Sequence, residues 1–185
     1  MIKYSDKIIV DGKNYDAILL KAEKKDGVEL KRLYDAWLDL KNGLKKFESR
    51  SPNLPEGISE GAFSLEFDCP RVLEVRGTSG SCDCYNPRTH ERIQIKATTI
   101  KYDLTSFGPD SVWDVLYLLD FYRDGKFDGK FDVYKIPNDL IYNYRINRTQ
   151  TFRDQQKQQR RPRFGLKKNI IEPNKITPIK TCSVG

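Results

Sequence analysis

Residues 80 to 99 read GSCDCYNPRTHERIQIKATT, and they gather Cys82, Asp83, Cys84, His90, Gln94 and Lys96 into a short stretch. Three chemistries compete for these groups. Thiols with an imidazole suit a metal site, thiols alone suit a buried core, and a carboxylate with an amide and a lysine suits phosphodiester hydrolysis. Strand parity separates them. Asn86 and Pro87 favour a turn. A hairpin of 81–85 with 92–97, its loop centred on Arg88 and Thr89, sets Asp83 opposite Gln94. Lys96 then lies on the same face, diagonal to Asp83, while Cys82 and Cys84 share the other face with Ile93, Ile95 and Ala97. A bulge or a one-residue slip would break this convergence.

A carboxylate and a side-chain carbonyl are oxygen ligands for Mg²⁺, which polarises a phosphate and acidifies a bound water. A lysine beside them can orient the attacking water and offset charge in the transition state. The same residues also fit an exposed cross-strand pair contributing roughly 0.2–1 kcal/mol. For the thiols, zinc would need two further ligands from Cys69, His90 and Cys182. Structural zinc favours C-x₂₋₄-C pairs that wrap the ion, so buried free thiols are expected. His90 falls in the turn, where exposure is expected. A chain with one histidine is a poor fit to HNH-type nucleases and Ser-His-Asp hydrolases.

These groups need elements to position them. KIIVDGKNYDAILL reads as a strand, a D-G turn and a second strand or helix start. Leu30, Leu33, Trp37, Leu40, Leu44 and Phe47 recur at helical spacing over 28–47, and SRSPNLP ends that helix. A shorter helix is expected over 56–67, with Ile58, Ala62 and Leu65 on one face. Strands are expected at 71–75, 81–85, 92–100 and 130–136, and 111–122 is apolar enough for a buried strand or a helix. Asp114 and Asp120 within it read as hydrogen-bonded or edge residues. Pro137, Asn138 and Asp139 open a further helix. Strands in the middle with helices before and after predict a mixed α/β (α+β) domain. The division expected is an N-terminal region (1–50), a core (51–144) and a basic segment (145–185).

The chain of 185 residues carries a net charge of +7, and that charge is localised. RINRTQTFRDQQKQQRRPRFGLKK (145–168) holds nine Lys or Arg and one acid, which leaves the remainder close to neutral. Such a stretch is suited to a polyanion, although it also fits a solvated tail. Arginine reads guanine and Gln or Asn reads adenine in the major groove, whereas lysine suits phosphates. Arg153, Arg160, Arg161 and Arg163, with Lys157, Lys167 and Lys168, are the candidate DNA contacts. No apolar run is long enough for a bilayer and no secretory signal is visible, so a cytoplasmic protein is expected.

Asp83, then ten residues, then Gln94-Ile95-Lys96 resembles the PD-(D/E)xK nuclease superfamily. RIQIKATTI, DLTSFGPDSVWDVLYLLDFYRDG, FDVYKIP and QTFRDQQKQQRRPRF extend the likeness over residues 54 to 172, to the short type II restriction endonucleases that cut at GCNGC. The resemblance implies a restriction-endonuclease-like core, a central mixed sheet flanked by helices. It implies Asp83 as a metal ligand and Lys96 as the catalytic lysine. Gln94 stands where an acid is usual and Cys82 where proline is frequent. A neutral amide holds Mg²⁺ less strongly, so the resemblance calls for a helix glutamate: Glu60 first, then Glu56 and Glu74. The backbone carbonyl of Ile95 is the remaining ligand it implies. A palindromic target implies a homodimer on double-stranded DNA, and a restriction enzyme implies a cognate DNA methyltransferase. Two rivals are a structure-selective repair or recombination nuclease of the same fold and a non-enzymatic nucleic-acid-binding protein.

Overall fold

Asp11 and Gly12 both sit at positive φ, 49° and 76°, the two-residue turn whose twist matches that of paired strands. It joins β1 (Ile2–Val10) to β2 (Lys13–Lys21), antiparallel from Val10↔Lys13 to Ile2↔Lys21. The computed structural model describes residues 1–77 and 82–185. Two helices follow the hairpin, α1 (Gly27–Lys45) and α2 (Glu56–Phe67), then β3 (Arg71–Val75), β4 (Cys84–Tyr85) and β5 (Arg92–Thr98). Next come β6 (Thr105–Ser106), β7 (Val115–Asp120), β8 (Lys130–Ile136), α3 (Asn138–Tyr142), α4 (Phe152–Lys157), β9 (Arg163–Phe164) and β10 (Lys180–Ser183).

Eight strands form one mixed sheet in the order β1-β2-β3-β4-β5-β7-β8-β10, and β6 pairs with β9 in a second, small one. Among the described residues only β5 and β7 run parallel, from Ile93↔Val115 to Thr98↔Asp120. The fold is the mixed α/β architecture the sequence predicts. The ambiguous segment 111–122 contains β7, and its apolar run reflects burial on both faces. Leu116 and Leu118 point into a cluster with Phe107, Phe152, Phe164 and Leu166. Tyr117 and Leu119 point to the opposite cluster, with Tyr34, Phe63, Ile93 and Ile95.

Several expectations shift. The predicted start of the hairpin strand at Ser81 lies outside the described residues. The next strand stops at Thr98, whose hydroxyl bonds the Ile100 carbonyl at 3.0 Å. Ala97 is exposed instead of buried. On α1 the buried stripe is Leu30, Tyr34, Trp37 and Lys41, whereas Leu33 and Leu40, and Phe47 just past its end, are exposed. Two stripes on this helix could face the core, and the one carrying both aromatic rings wins. Burying Lys41 places its ammonium 3.2 Å from the Phe127 ring centroid, and burial lowers its pKa to about 8.

Candidate active site

The hairpin pairs Cys84 with Ile93 and Tyr85 with Arg92, the register that sets Asp83 opposite Gln94. Asp83 is fixed by its main chain on both sides. Its N–H donates to the Ile93 carbonyl at 2.9 Å, and its carbonyl accepts from Val72 N–H at 3.0 Å. The side chain turns to β5, where Asp83 Oδ2 accepts from the Ile95 N–H at 2.7 Å and from the Gln94 amide. Burial pushes the Asp83 carboxyl above its usual range, and the Lys96 charge is the leading influence pulling it back. Lys96 lies with its Nζ 5.4 Å from the Phe107 ring centroid. Asp83, Gln94 and Lys96 are thus brought together as parity predicts.

The four cysteines are free and buried. Burial pushes Cys82 up to about 12 and Cys69 and Cys182 up to about 11, so these thiols stay protonated and inert. His90 is exposed in the turn, and its Nδ1 meets the Tyr85 hydroxyl at 2.9 Å.

Glu60 reaches the same cleft from α2, because Ile58, Ala62 and Phe63 on that helix are buried against the sheet. Its carboxylate accepts from Arg71 Nε at 2.7 Å, with both side chains about 85% buried. Burial pushes its pKa up to about 7, reinforced by the Asp83 charge and opposed by Arg71. The cleft measures about 630 Å³ and is lined by polar groups including Ser59, Glu60, Asp83, Lys96, Thr98 and Asp103. Glu56 also lines it and raises the Asp83 pKa, whereas Glu74 on β3 bonds Arg76 at the surface.

The basic segment is folded onto the second cluster. Thr151 caps α4 by accepting from Asp154 N–H at 3.3 Å, and Phe152 and Phe164 are buried. Arg153 stacks 4.7 Å above the Tyr142 ring, and Arg160 donates to Gln150 at 3.3 Å. Lys157, Arg161, Arg163 and Lys168 are exposed. Lys167 is not: it forms an ion pair with Asp120, whose side chain is 1% exposed. β9 holds Arg163 opposite Ser106 of β6.

The profile of the Bsp6I restriction endonuclease family matches residues 22–173. The type II restriction enzyme Bsp6I of Bacillus sp. (strain RFL6) is 36% identical over 167 residues, covering 86% of this chain and 89% of the relative. The chain belongs to the Bsp6I restriction endonuclease family. No solved structure matches it significantly. Membership makes the chain a restriction endonuclease, a site-specific endodeoxyribonuclease.

Two residues of this endonuclease escaped sequence reasoning. Arg71, which holds Glu60, sits eleven positions away on another element, and no local pattern marks it. Asp103 accepts from the N–H groups of Leu166 at 3.1 Å and Lys167 at 3.2 Å, more than sixty residues away. The donor set suits a hard cation. Asp83 and Glu60 offer carboxylate oxygens at one cleft and Gln94 bonds Asp83 from behind it through its amide NH₂, although among the described residues no three of Asp, Glu, His and Cys converge on a point. A cation between Asp83 and Gln94 would meet the Gln94 oxygen once that amide turned its NH₂ away from Asp83.

Proposed function

We propose that this endonuclease uses Mg²⁺ to hydrolyse both strands of duplex DNA at a short, GCNGC-like site. The convergence of Asp83, Gln94 and Lys96 carries the reading. An acid and a lysine line one polar cleft, and an amide bonds that acid, in a chain whose relative is named a type II restriction enzyme. Asp83, Gln94 and the Ile95 carbonyl would hold the metal, with Glu60 as the further acid once Arg71 yields it. When bound, the ion would polarise the scissile phosphate and acidify a water. Lys96 orients the attacking water and offsets the charge that grows on the phosphate oxygens. Asp83, anchored by main-chain bonds on both sides, keeps its carboxylate in place through the reaction.

Six exposed cations of 145–168, Arg153, Lys157, Arg160, Arg161, Arg163 and Lys168, grip the duplex, and Lys167 supports them from its pair with Asp120. In this division 51–144 performs the cut, 145–185 contacts DNA and 1–50 extends the sheet beside the core. A palindrome presents the same bond on each strand, so two copies related by a two-fold axis serve it as a homodimer. A cognate DNA methyltransferase would protect host DNA in the cytoplasm, where such an enzyme works. No helix among the described residues is long and apolar enough to cross a membrane.

The test is cleavage of sequenced plasmid DNA with Mg²⁺. Discrete fragments with one shared terminal sequence are expected. Cutting of junctions or flaps with linear duplex left whole, or full activity in Lys96→Ala, would overturn the reading.

A further inference from the structure

Ile100, Tyr102 and Leu104 follow the catalytic strand and are 50%, 52% and 61% exposed, a concentration of apolar surface beside a polar cleft. Ile100 and Leu104 line that cleft together with Asp83 and Lys96. Burial does not account for these side chains, and two lysines flank the middle one. Lys101 and Lys168 place their ammonium groups 5.4 and 5.7 Å from the Tyr102 ring centroid. The loop is nonetheless anchored. Asp103 accepts from the N–H groups of Leu166 and Lys167, and a Cβ at Gly165 would lie 2.6 Å from the Asp103 carbonyl oxygen. Only glycine at 165 lets the two segments approach this closely. At the other end, Thr98 fixes Ile100 through its hydroxyl.

An anchored loop with an apolar crest and cationic flanks matches the chemistry of a nucleic acid duplex. Ammonium groups meet phosphates, while aliphatic side chains meet sugars and base edges. We propose that residues 100–104 form a second DNA-contacting element, docking Ile100 and Leu104 against sugars and base edges beside the bond that Lys96 addresses. Asp103 is its positioning residue. Through Gly165 it ties this loop to the arginine-bearing β9, so that the contacts of the basic segment and the cut site share one rigid reference.

The inference rests on the duplex-nuclease reading, and the experiment separates the two. Binding of a fluorescent target duplex is measured without divalent metal for the wild type, Ile100→Ser/Leu104→Ser, Lys101→Ala and, as a control, Val28→Ser on α1, which is 80% exposed. The double variant is expected to raise Kd about tenfold, because apolar contact is lost. Its dependence of log Kd on log salt should stay unchanged, since no charge is removed. Lys101→Ala should lower that slope by about 0.9, the value for one phosphate contact. Val28→Ser should match the wild type. Should the double variant unfold at a lower temperature, Leu104→Ser alone is read instead, with about a threefold rise expected. Wild-type binding and cutting by the double and single variants would overturn the inference and leave the nuclease reading standing. A wild type that neither binds nor cuts duplex would overturn that reading itself.

Discussion

Two regions of this endonuclease carry its charges, and they hold them by different means. In the hairpin that carries the candidate site, main-chain bonds from Val72 and to Ile93 fix Asp83, and Lys96 on the neighbouring strand forms no ion pair among the described residues. In the basic segment, aromatic rings do the fixing. Phe152 and Phe164 are buried with Phe107, and the arginines radiate from the short elements that those rings pin down. Lys167 shows the contrast most clearly. It belongs to the basic run by sequence, yet it compensates a buried aspartate as a core residue would. A lysine beside an acid but in no ion pair is available for chemistry, whereas a lysine locked to one is committed to stability.

The largest effect that should follow from this contrast is at Lys96. Lys96→Ala should lower the cleavage rate about 10²–10³-fold while leaving thermal unfolding and DNA affinity close to wild type. Single-turnover cleavage with a parallel binding titration checks this, and a matching loss of affinity would break the distinction.

Next comes Lys167→Met, which leaves Asp120 buried without its cation and should cost about 3 kcal/mol in denaturant unfolding. Lys168→Met, at an exposed position, should change stability by less than about 0.5 kcal/mol. Equal stabilities for the two variants would erase the contrast between committed and available lysines.

A smaller change is expected at the exposed arginines. Arg161→Ala and Arg163→Ala should each weaken binding by about 1–3 kcal/mol if they read bases, with discrimination against altered sites reduced. If they contact phosphates, each should instead lower the salt slope by about 0.9 and leave discrimination intact. Unchanged affinity, slope and discrimination in both would remove the basic segment from the interface.

The smallest effect concerns pH. Glu60 is raised from 4.5 to about 7. Across that window the folded chain therefore holds a proton that the unfolded chain releases, and the stability from that proton is lost as pH rises. Metal needs the ionised carboxylate, so the Mg²⁺ requirement should run the other way, about tenfold higher at pH 6 than at pH 8. In Glu60→Gln this dependence should flatten, as read from Mg²⁺ titrations of cleavage. A wild-type requirement independent of pH would take Glu60 out of the metal site.

What could be read in advance followed from local geometry. The two faces of the hairpin came from strand parity, because side chains alternate and Asn86 and Pro87 fix the turn. The α2 helix was legible from Ile58 and Ala62, and the D-G turn from its two residues. The face of α1 was read in part: Leu30 and Trp37 are buried as expected, but periodicity alone did not choose Tyr34 and Lys41 over Leu33 and Leu40. The Arg71 partner of Glu60, which comes from a different element, was not legible.

The sequence by itself determined that an aspartate, a glutamine and a lysine share one face, that the two hairpin thiols turn to the other and that positive charge gathers near residue 160. Tertiary structure alone decided that Arg71 holds Glu60, that Lys167 joins Asp120 in the core and that Asp103 ties the loop after β5 to β9. The first set depends on contacts within about a dozen residues, where backbone periodicity dictates direction. The second depends on chain segments up to 64 residues apart, brought together only by burial of the two clusters on either side of the sheet.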